Sequence, residues 1–180
     1  MYEVSYPNEA IPTLASTEDE LMEIICHNAW SPFRFEKYRR MDDFISTDII
    51  AFDIDDGMDI GEAEQVVNKL GLTALCLPSP SHKEEHHKFR LLFPLSRTIY
   101  DMQEFYSTYA KLAENFPVDP QCKDSCRFYF GSTMEDGFWI EGKLLDPVPP
   151  EKPENGSDYD FEHGEHVIVG EELEELVEAL

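Results

Sequence analysis

Residues 48 to 55, "DIIAFDID", are the most strand-like run in the chain, and they carry two carboxylates on one face. β-Branched and aromatic neighbours suit a buried strand. Side chains alternate across a strand, so Ile50, Phe52 and Ile54 point one way and Asp53 and Asp55 the other. Two like charges held that close repel. A metal ion, an arginine or a shared proton has to offset the repulsion. Any fold built on this strand therefore needs an apolar layer on one face and a positive partner on the other.

The flanking patterns say how the strand is used. "STEDELMEIICHNAW" opens with a Ser/Thr cap and acids, which predicts a helix over 18 to 27. "SPFRFEKYRRMDDFIST" has no single period. After the strand, "DIGEAEQVVNKLG" sets Ile60, Ala63, Val66, Val67 and Leu70 on one helical face and stops at Gly71. "LTALCLP" and "KFRLLFPL" read as strands joined by a nine-residue loop. "DMQEFYSTYAKLAENF" repeats apolar residues at helical spacing, and "RFYFG" reads as a further strand, with Phe128 and Phe130 toward the core and Arg127 and Tyr129 away from it. "EDG" at 135 to 137 reads as a turn into "FWI". The order from residue 48 is β-α-β-β-α-β, a ferredoxin-like or RRM-like unit in the α+β class. Residues 17 to 47 add a small N-terminal α/β extension. The expectation for such a unit is a sheet with helices on one face and the other face open.

Composition bounds the rest. The 180 residues suggest one domain, 1 to 148, followed by an acidic linker and a short C-terminal helix over 149 to 180. Residues 151 to 180 hold eleven acidic residues and one lysine. Such a tail is usually a solvated appendage; its sharper reading is a docking peptide for a partner. The formal net charge of −24 argues against whole-surface binding to nucleic acid. Basic residues nonetheless cluster in "RFEKYRR", "HKEEHHKFR" and "KDSCR", which leaves room for a local basic cleft. No apolar run spans a membrane, and the N-terminus has no basic-then-apolar signal pattern. Four cysteines do not make a disulfide framework. A cytoplasmic protein with no membrane partner is the expectation.

In a ferredoxin-like unit the polar residues converge. Asp53 and Asp55 close the first strand, "SPSH" (79 to 82) follows the second, Arg90 opens the third, and Arg127 opens the fourth after Asp119 in its entry loop. All fall at one sheet edge. Hard carboxylates beside His and Arg suit two-metal phosphoryl transfer with Mg²⁺ or Mn²⁺. Arginine grips phosphate through bidentate contacts.

The segments "AFDIDDG", "PSPSHKEEHHKFRLLFPL" and "VDPQCKDSCRFYFGS" resemble the catalytic domains of the archaeo-eukaryotic primase superfamily, in the primase–polymerase form of phage and plasmid replication proteins. That pattern is a DxD on a strand, a Ser-x-His or Ser-His after the next strand, and a later Asp after an apolar residue. The resemblance spans roughly 33 to 145. It implies that Asp53, Asp55 and Asp119 hold Mg²⁺ or Mn²⁺, and that Ser81, His82, Arg90 and Arg127 contact the nucleotide. Position 80, where Ser-x-His asks for Ser, is Pro, flanked by Ser79 and Ser81. It further implies a metal-dependent nucleotidyltransferase, a DNA primase or polymerase that adds nucleoside triphosphates on a single-stranded DNA template, with a replication protein such as a helicase or a single-strand-binding protein as the partner that the acidic tail would dock.

Other readings stay open. The chain could be a catalytically inactive replication accessory on the same fold, or a two-metal nuclease on the same carboxylates. "DIDDG" also fits haloacid dehalogenase-type phosphatases, but those expect a Thr soon after the Gly, where Met58 stands, and a doubly wound sheet. Cys122 and Cys126 form a lone C-x3-C, a poor zinc signal beside the plainer reading as thiols. His86 and His87 read as loop residues. Tyr129 on the open face either stacks a base or packs under the 138 to 145 hairpin, and packing is favoured. "RFEKYRR" either tracks a template backbone or forms a solvated face.

Overall fold

Asp59 and Gly71 bracket the helix that the 60 to 70 pattern predicts, and each does so for a local reason. The Asp59 carboxylate accepts the Glu62 amide while Glu62 reaches back to the Asp59 amide, a reciprocal cap on two otherwise orphaned donors. Gly71 ends the helix in the left-handed region at φ +68°, where a side chain is strained. The helix before the central strand starts in a similar way, with the Thr17 hydroxyl accepting from the Glu20 amide and acids filling its first turn.

The computed structural model describes residues 2–5, 12–118, 126–132 and 137–150. In chain order its elements are β1 (Tyr2–Ser5), β2 (Pro12–Ala15), α1 (Glu18–His27), β3 (Phe33–Phe35), β4 (Phe44–Ile54), α2 (Ile60–Leu70), β5 (Ala74–Pro78), β6 (Phe89–Ile99), α3 (Met102–Ala113) and β7 (Phe138–Ile140). The fold is α+β. β3, β4, β6, β5 and β7 form a five-stranded sheet in that order, with every neighbouring pair antiparallel. β1 and β2 form a separate hairpin. β4 and β5 thus run in the same direction with β6 reversed between them, as the ferredoxin-like reading expects.

Alternation along β4 builds two cores. Ile50, Phe52 and Ile54 face α2 and α3, meeting Val67, Phe105, Tyr109 and Leu112. Ile49 and Ala51 face the opposite way and join Leu75, Leu77 and Leu92 beneath α1, Trp30 and Tyr129. The expected open face is therefore covered. The amphipathic α1 buries Leu21, Ile25 and Cys26 on it, and the hairpin residues Val4 and Ala15 join the same cluster. An exposed row of Ile, Leu and Ala across three strands would cost too much apolar hydration to stay bare. Deep in the first core, burial pushes the Cys76 thiol up to about 12, with the Glu64 charge adding to the shift, so the thiol stays neutral.

The expected fourth strand, "RFYFG", does not enter the sheet. β3 occupies the edge beside β4, so that slot is taken. Residues 126–132 instead cross over the α1 side of the sheet, held by paired backbone hydrogen bonds between Trp30 and Tyr129 (2.8 and 2.7 Å). The facing is reversed as well. Tyr129 goes inside, stacked 4.9 Å from Trp30 with its hydroxyl donating to the Ala51 carbonyl at 3.2 Å. Phe130, expected in the core, is 66% exposed, and Phe128 is only half-buried. The strand expected at 138 to 140 forms and pairs with β5. Among the described residues no helix is long and apolar enough to cross a membrane. The acidic tail and its expected helix lie outside the described residues.

The crossing segment is fitted tightly to α1. Ser132 donates to the Cys26 carbonyl at 3.1 Å, and a Cβ on Gly131 would stand 2.2 Å from that same oxygen. We expect Gly131→Ala to lower the free energy of unfolding by about 1–3 kcal/mol, the usual cost of forcing an extra carbon into a filled site. Urea denaturation measures this, and an unchanged midpoint would show that the segment is not seated as described.

Candidate phosphate-binding and carboxylate site

Asp53 lies opposite Arg90 in the β4–β6 register, and the antiparallel pairing points both side chains to the α1 face. Arg90 is 7% exposed and Asp53 15%. The Asp53 carboxylate holds two guanidiniums, one at each oxygen: Arg90 Nε lies 3.5 Å from Oδ1, and Arg127 Nη2 lies 3.3 Å from Oδ2. Two residues on, Asp55 pairs with Lys88, Nζ to Oδ1 3.2 Å. Arginine and lysine thus supply the positive partner that the twin carboxylates demand.

Tyr129 lies beneath this arrangement. The Arg90 guanidinium sits 5.2 Å from its ring centroid and that of Arg127 5.8 Å, both within reach of the ring's negative face. Arg90 also donates to the Phe130 carbonyl at 2.5 Å, which ties the crossing segment to the sheet edge. The Arg90 charge is felt as far as α1: burial pushes the Cys26 thiol up, and that guanidinium pulls it partly back.

Two clefts meet at this point. The first, about 340 Å³, is lined by Asp53, Asp55, Ser79, Ser81 and Arg90. The second, about 310 Å³, is lined by Arg39, Asp53, Arg90, Arg127, Phe128 and Phe130. They share Asp53, Arg90 and Phe130. Five of the residues expected from the sequence are therefore gathered: Asp53, Asp55, Ser81 and Arg90 on the first cleft, and Arg127 on the second. Asp119 lies outside the described residues. His82 sits in the correct loop, but its ring is not part of either lining.

The loop from 79 to 88 is ordered by its own backbone. The Ser79 amide donates to the Lys88 carbonyl at 2.8 Å, the His82 amide to the Ser79 carbonyl at 3.0 Å, and Lys83 and His86 exchange hydrogen bonds. The Lys88 amide donates to His82 Nδ1 at 3.2 Å, which leaves the neutral ring its proton on Nε2. His87, the His82 neighbour at 5.0 Å between ring centroids, accepts the Ile60 amide at the start of α2. His87 thus has a structural duty, consistent with its reading as a loop residue. Ser79 and Ser81 hydroxyls are 3.1 Å apart, so both flanking serines reach the cleft.

The donor set fits a hard divalent ion in part. Asp53 and Asp55 offer carboxylate oxygens on one strand face, each oxygen keeping a second lone pair beside its cationic partner. Mg²⁺ is commonly held by one or two carboxylates, with waters and substrate phosphates completing its octahedron. Among the described residues no group of three or more His, Cys, Asp or Glu side chains converges. The alternative zinc pair is half outside the described residues: Cys122 is not described, and Cys126 lines the arginine cleft.

Sequence reasoning missed Lys88, and Arg39 was left between two readings. Lys88 follows from the register: if Asp53 faces Arg90, Asp55 faces position 88. Arg39 belongs to "RFEKYRR" and lies over the Phe128 ring at 4.6 Å while donating to the Cys126 carbonyl. No period in that stretch reveals it, because it is fixed by a contact 87 residues away in the chain.

Neither a protein-family model nor a curated protein sequence matches the chain. Among solved structures, the fold is similar to the AEP domain of the primase-polymerase (PrimPol) of cyanophage S-2L, at 13% identity over 81% of this chain and 83% of that one, with a TM-score of 0.46. At that level the likeness carries no weight for the chemistry, which rests on the residues themselves.

Removing the Asp53 charge leaves buried Arg90 without its counter-ion, whereas the Asp55–Lys88 pair is half-exposed. Asp53→Asn is expected to cost about 3 kcal/mol of stability and Asp55→Asn less than about 1 kcal/mol. Equal losses in urea denaturation would contradict the hub role given to Asp53.

Proposed function

We propose that the chain is a metal-dependent nucleotidyltransferase of the primase or primase–polymerase type, adding nucleotides on a single-stranded DNA template. The observation that carries this reading is the meeting of Asp53, Asp55, Ser79, Ser81 and Arg90 on one cleft. Asp53 and Asp55 would hold Mg²⁺ or Mn²⁺, with Asp119 as a third carboxylate. The ion supplies charge neutralisation at the reacting phosphate and lowers the pKa of the attacking hydroxyl.

The chain's own residues bind and orient the nucleotide. Arg127, partly exposed, exchanges its Asp53 contact for an incoming phosphate, a stronger and bidentate partner. Arg90 stays with Asp53, held by the Phe130 carbonyl and the Tyr129 ring. Ser81 donates its hydroxyl to a phosphate oxygen. His82 offers Nε2–H, fixed in that tautomer by the Lys88 amide.

One observation favours a second reading, a non-catalytic replication accessory. Arg90, Arg127 and Lys88 already balance both carboxylates, so the cleft holds together without a metal. The test is nucleotide incorporation on primed and unprimed single-stranded templates with Mn²⁺ or Mg²⁺. We expect a metal-dependent product that falls at least about a hundredfold in Asp55→Asn, the variant that spares the fold. Absence of product with either metal would leave the accessory reading. Degradation of the labelled strand without nucleotide would instead identify a nuclease.

A further inference from the structure

We infer that the arginine cleft seats a single DNA strand, with Phe130 as the platform on which one unpaired base stacks and Arg39 as the phosphate contact beside it. The inference deepens the reading above and rests on it for the choice of ligand.

Phe130 is an exposed ring on a fixed backbone. Its carbonyl accepts from Arg90, and two residues on Ser132 is anchored to Cys26 and to the Pro78 carbonyl. A single exposed aromatic is ordinary on a protein surface. This one meets Phe128 edge-on at 5.3 Å between centroids, and Phe128 in turn carries the Arg39 guanidinium on its face. Two rings and a guanidinium aligned along one cleft wall are the parts of a stacking platform with a phosphate grip.

Charge selects the occupant. The chain carries −24 overall, yet among the described residues three guanidiniums line this cleft against one carboxylate, that of Asp53. An anionic polymer is repelled by most of the surface and attracted here. Bases inside a duplex are already stacked and present no free face to Phe130, so the fit is to a single strand. Phe130 borders both clefts, and a strand lying on it leads to Asp53 and Asp55. Stacking on Phe accepts any base, which suits a template read by pairing rather than by the protein.

The test is fluorescence anisotropy of labelled oligo-dT with the full chain, in EDTA and without nucleotide. Wild type is expected to bind more tightly to oligo-dT than to a duplex of equal length. Phe130→Ala is expected to weaken binding about tenfold with the salt dependence unchanged, and Phe130→Trp to restore it. Arg39→Ala is expected to weaken binding and to reduce the salt slope by about one. Thermal melts are expected to stay at the wild-type value for the Phe130 variants, whose side chain lies outside both cores. No binding by wild type, equal affinity for duplex, or Phe130→Ala binding as wild type does would each overturn the inference. Strand binding that depends on Phe130 but comes without nucleotide incorporation would overturn the catalytic reading and leave this one standing. Incorporation with no Phe130 effect on binding would do the reverse.

Discussion

The Asp53 carboxylate is the interaction on which the site depends. It sits between a guanidinium from the neighbouring strand and one from a segment 74 residues further along the chain. The sheet edge and the crossing segment are thereby joined through one charged group. Such a junction in a nearly dry position is strong only when every charge in it is paired. Here the pairing is extended by the Tyr129 ring below and the Phe130 carbonyl beside it, so Arg90 is held on several sides. Asp55 is different in kind. Its lysine partner is flexible and partly solvated, which makes it the carboxylate more easily turned toward another cation.

The position of this junction follows from where the second core ends. Along the α1 face of β4, Ile49 and Ala51 are covered by α1 and Trp30, and the next residue on that face is Asp53. The apolar cover stops where the polar residues begin. A strand that is apolar on both faces at one end and polar on one face at the other cannot be sealed along its whole length. The unsealed part is the pair of clefts. The N-terminal unit is therefore more than an appendage, since α1 and Trp30 cover the residues that precede Asp53 on this face.

Much of this was legible because it depends on local rules. The Ser/Thr cap before α1, the Gly71 stop and the alternation through Phe52 and Asp53 each need only a few neighbouring residues, and each holds. The meeting of Asp53 with Arg90 was legible at one remove, because antiparallel strands of known polarity leave few registers. The fate of "RFYFG" was not legible. Its alternating aromatics satisfy a strand pattern, but whether an edge is vacant is decided elsewhere, by the three residues of β3. Nor does alternation alone say which of its two faces is inward. Trp30, distant in sequence, offers Tyr129 a stacking partner, and the Ala51 carbonyl takes the hydroxyl, so the tyrosine rather than the phenylalanines turns in. The covered face escaped for a related reason: the apolar stripe of α1 was plain, but its landing place was not.

The path of "RFYFG" across the sheet decides what the surface offers. Had "RFYFG" been a sheet strand, Phe128 and Phe130 would have been core residues and Arg127 one more side chain on a flat face. As a segment crossing above the sheet, it lifts Arg127 toward Asp53 and leaves Phe130 outside. Backbone hydrogen bonds to Trp30 hold it there, together with the Ser31 hydroxyl donating to the Arg127 carbonyl at 2.9 Å. These contacts come from the residues just after α1, so the helix that closes the second core also sets the height of the cationic wall. Packing and electrostatics are in this sense one constraint: loosening α1 would lower Tyr129, tilt both guanidiniums off its ring and weaken their hold on Asp53.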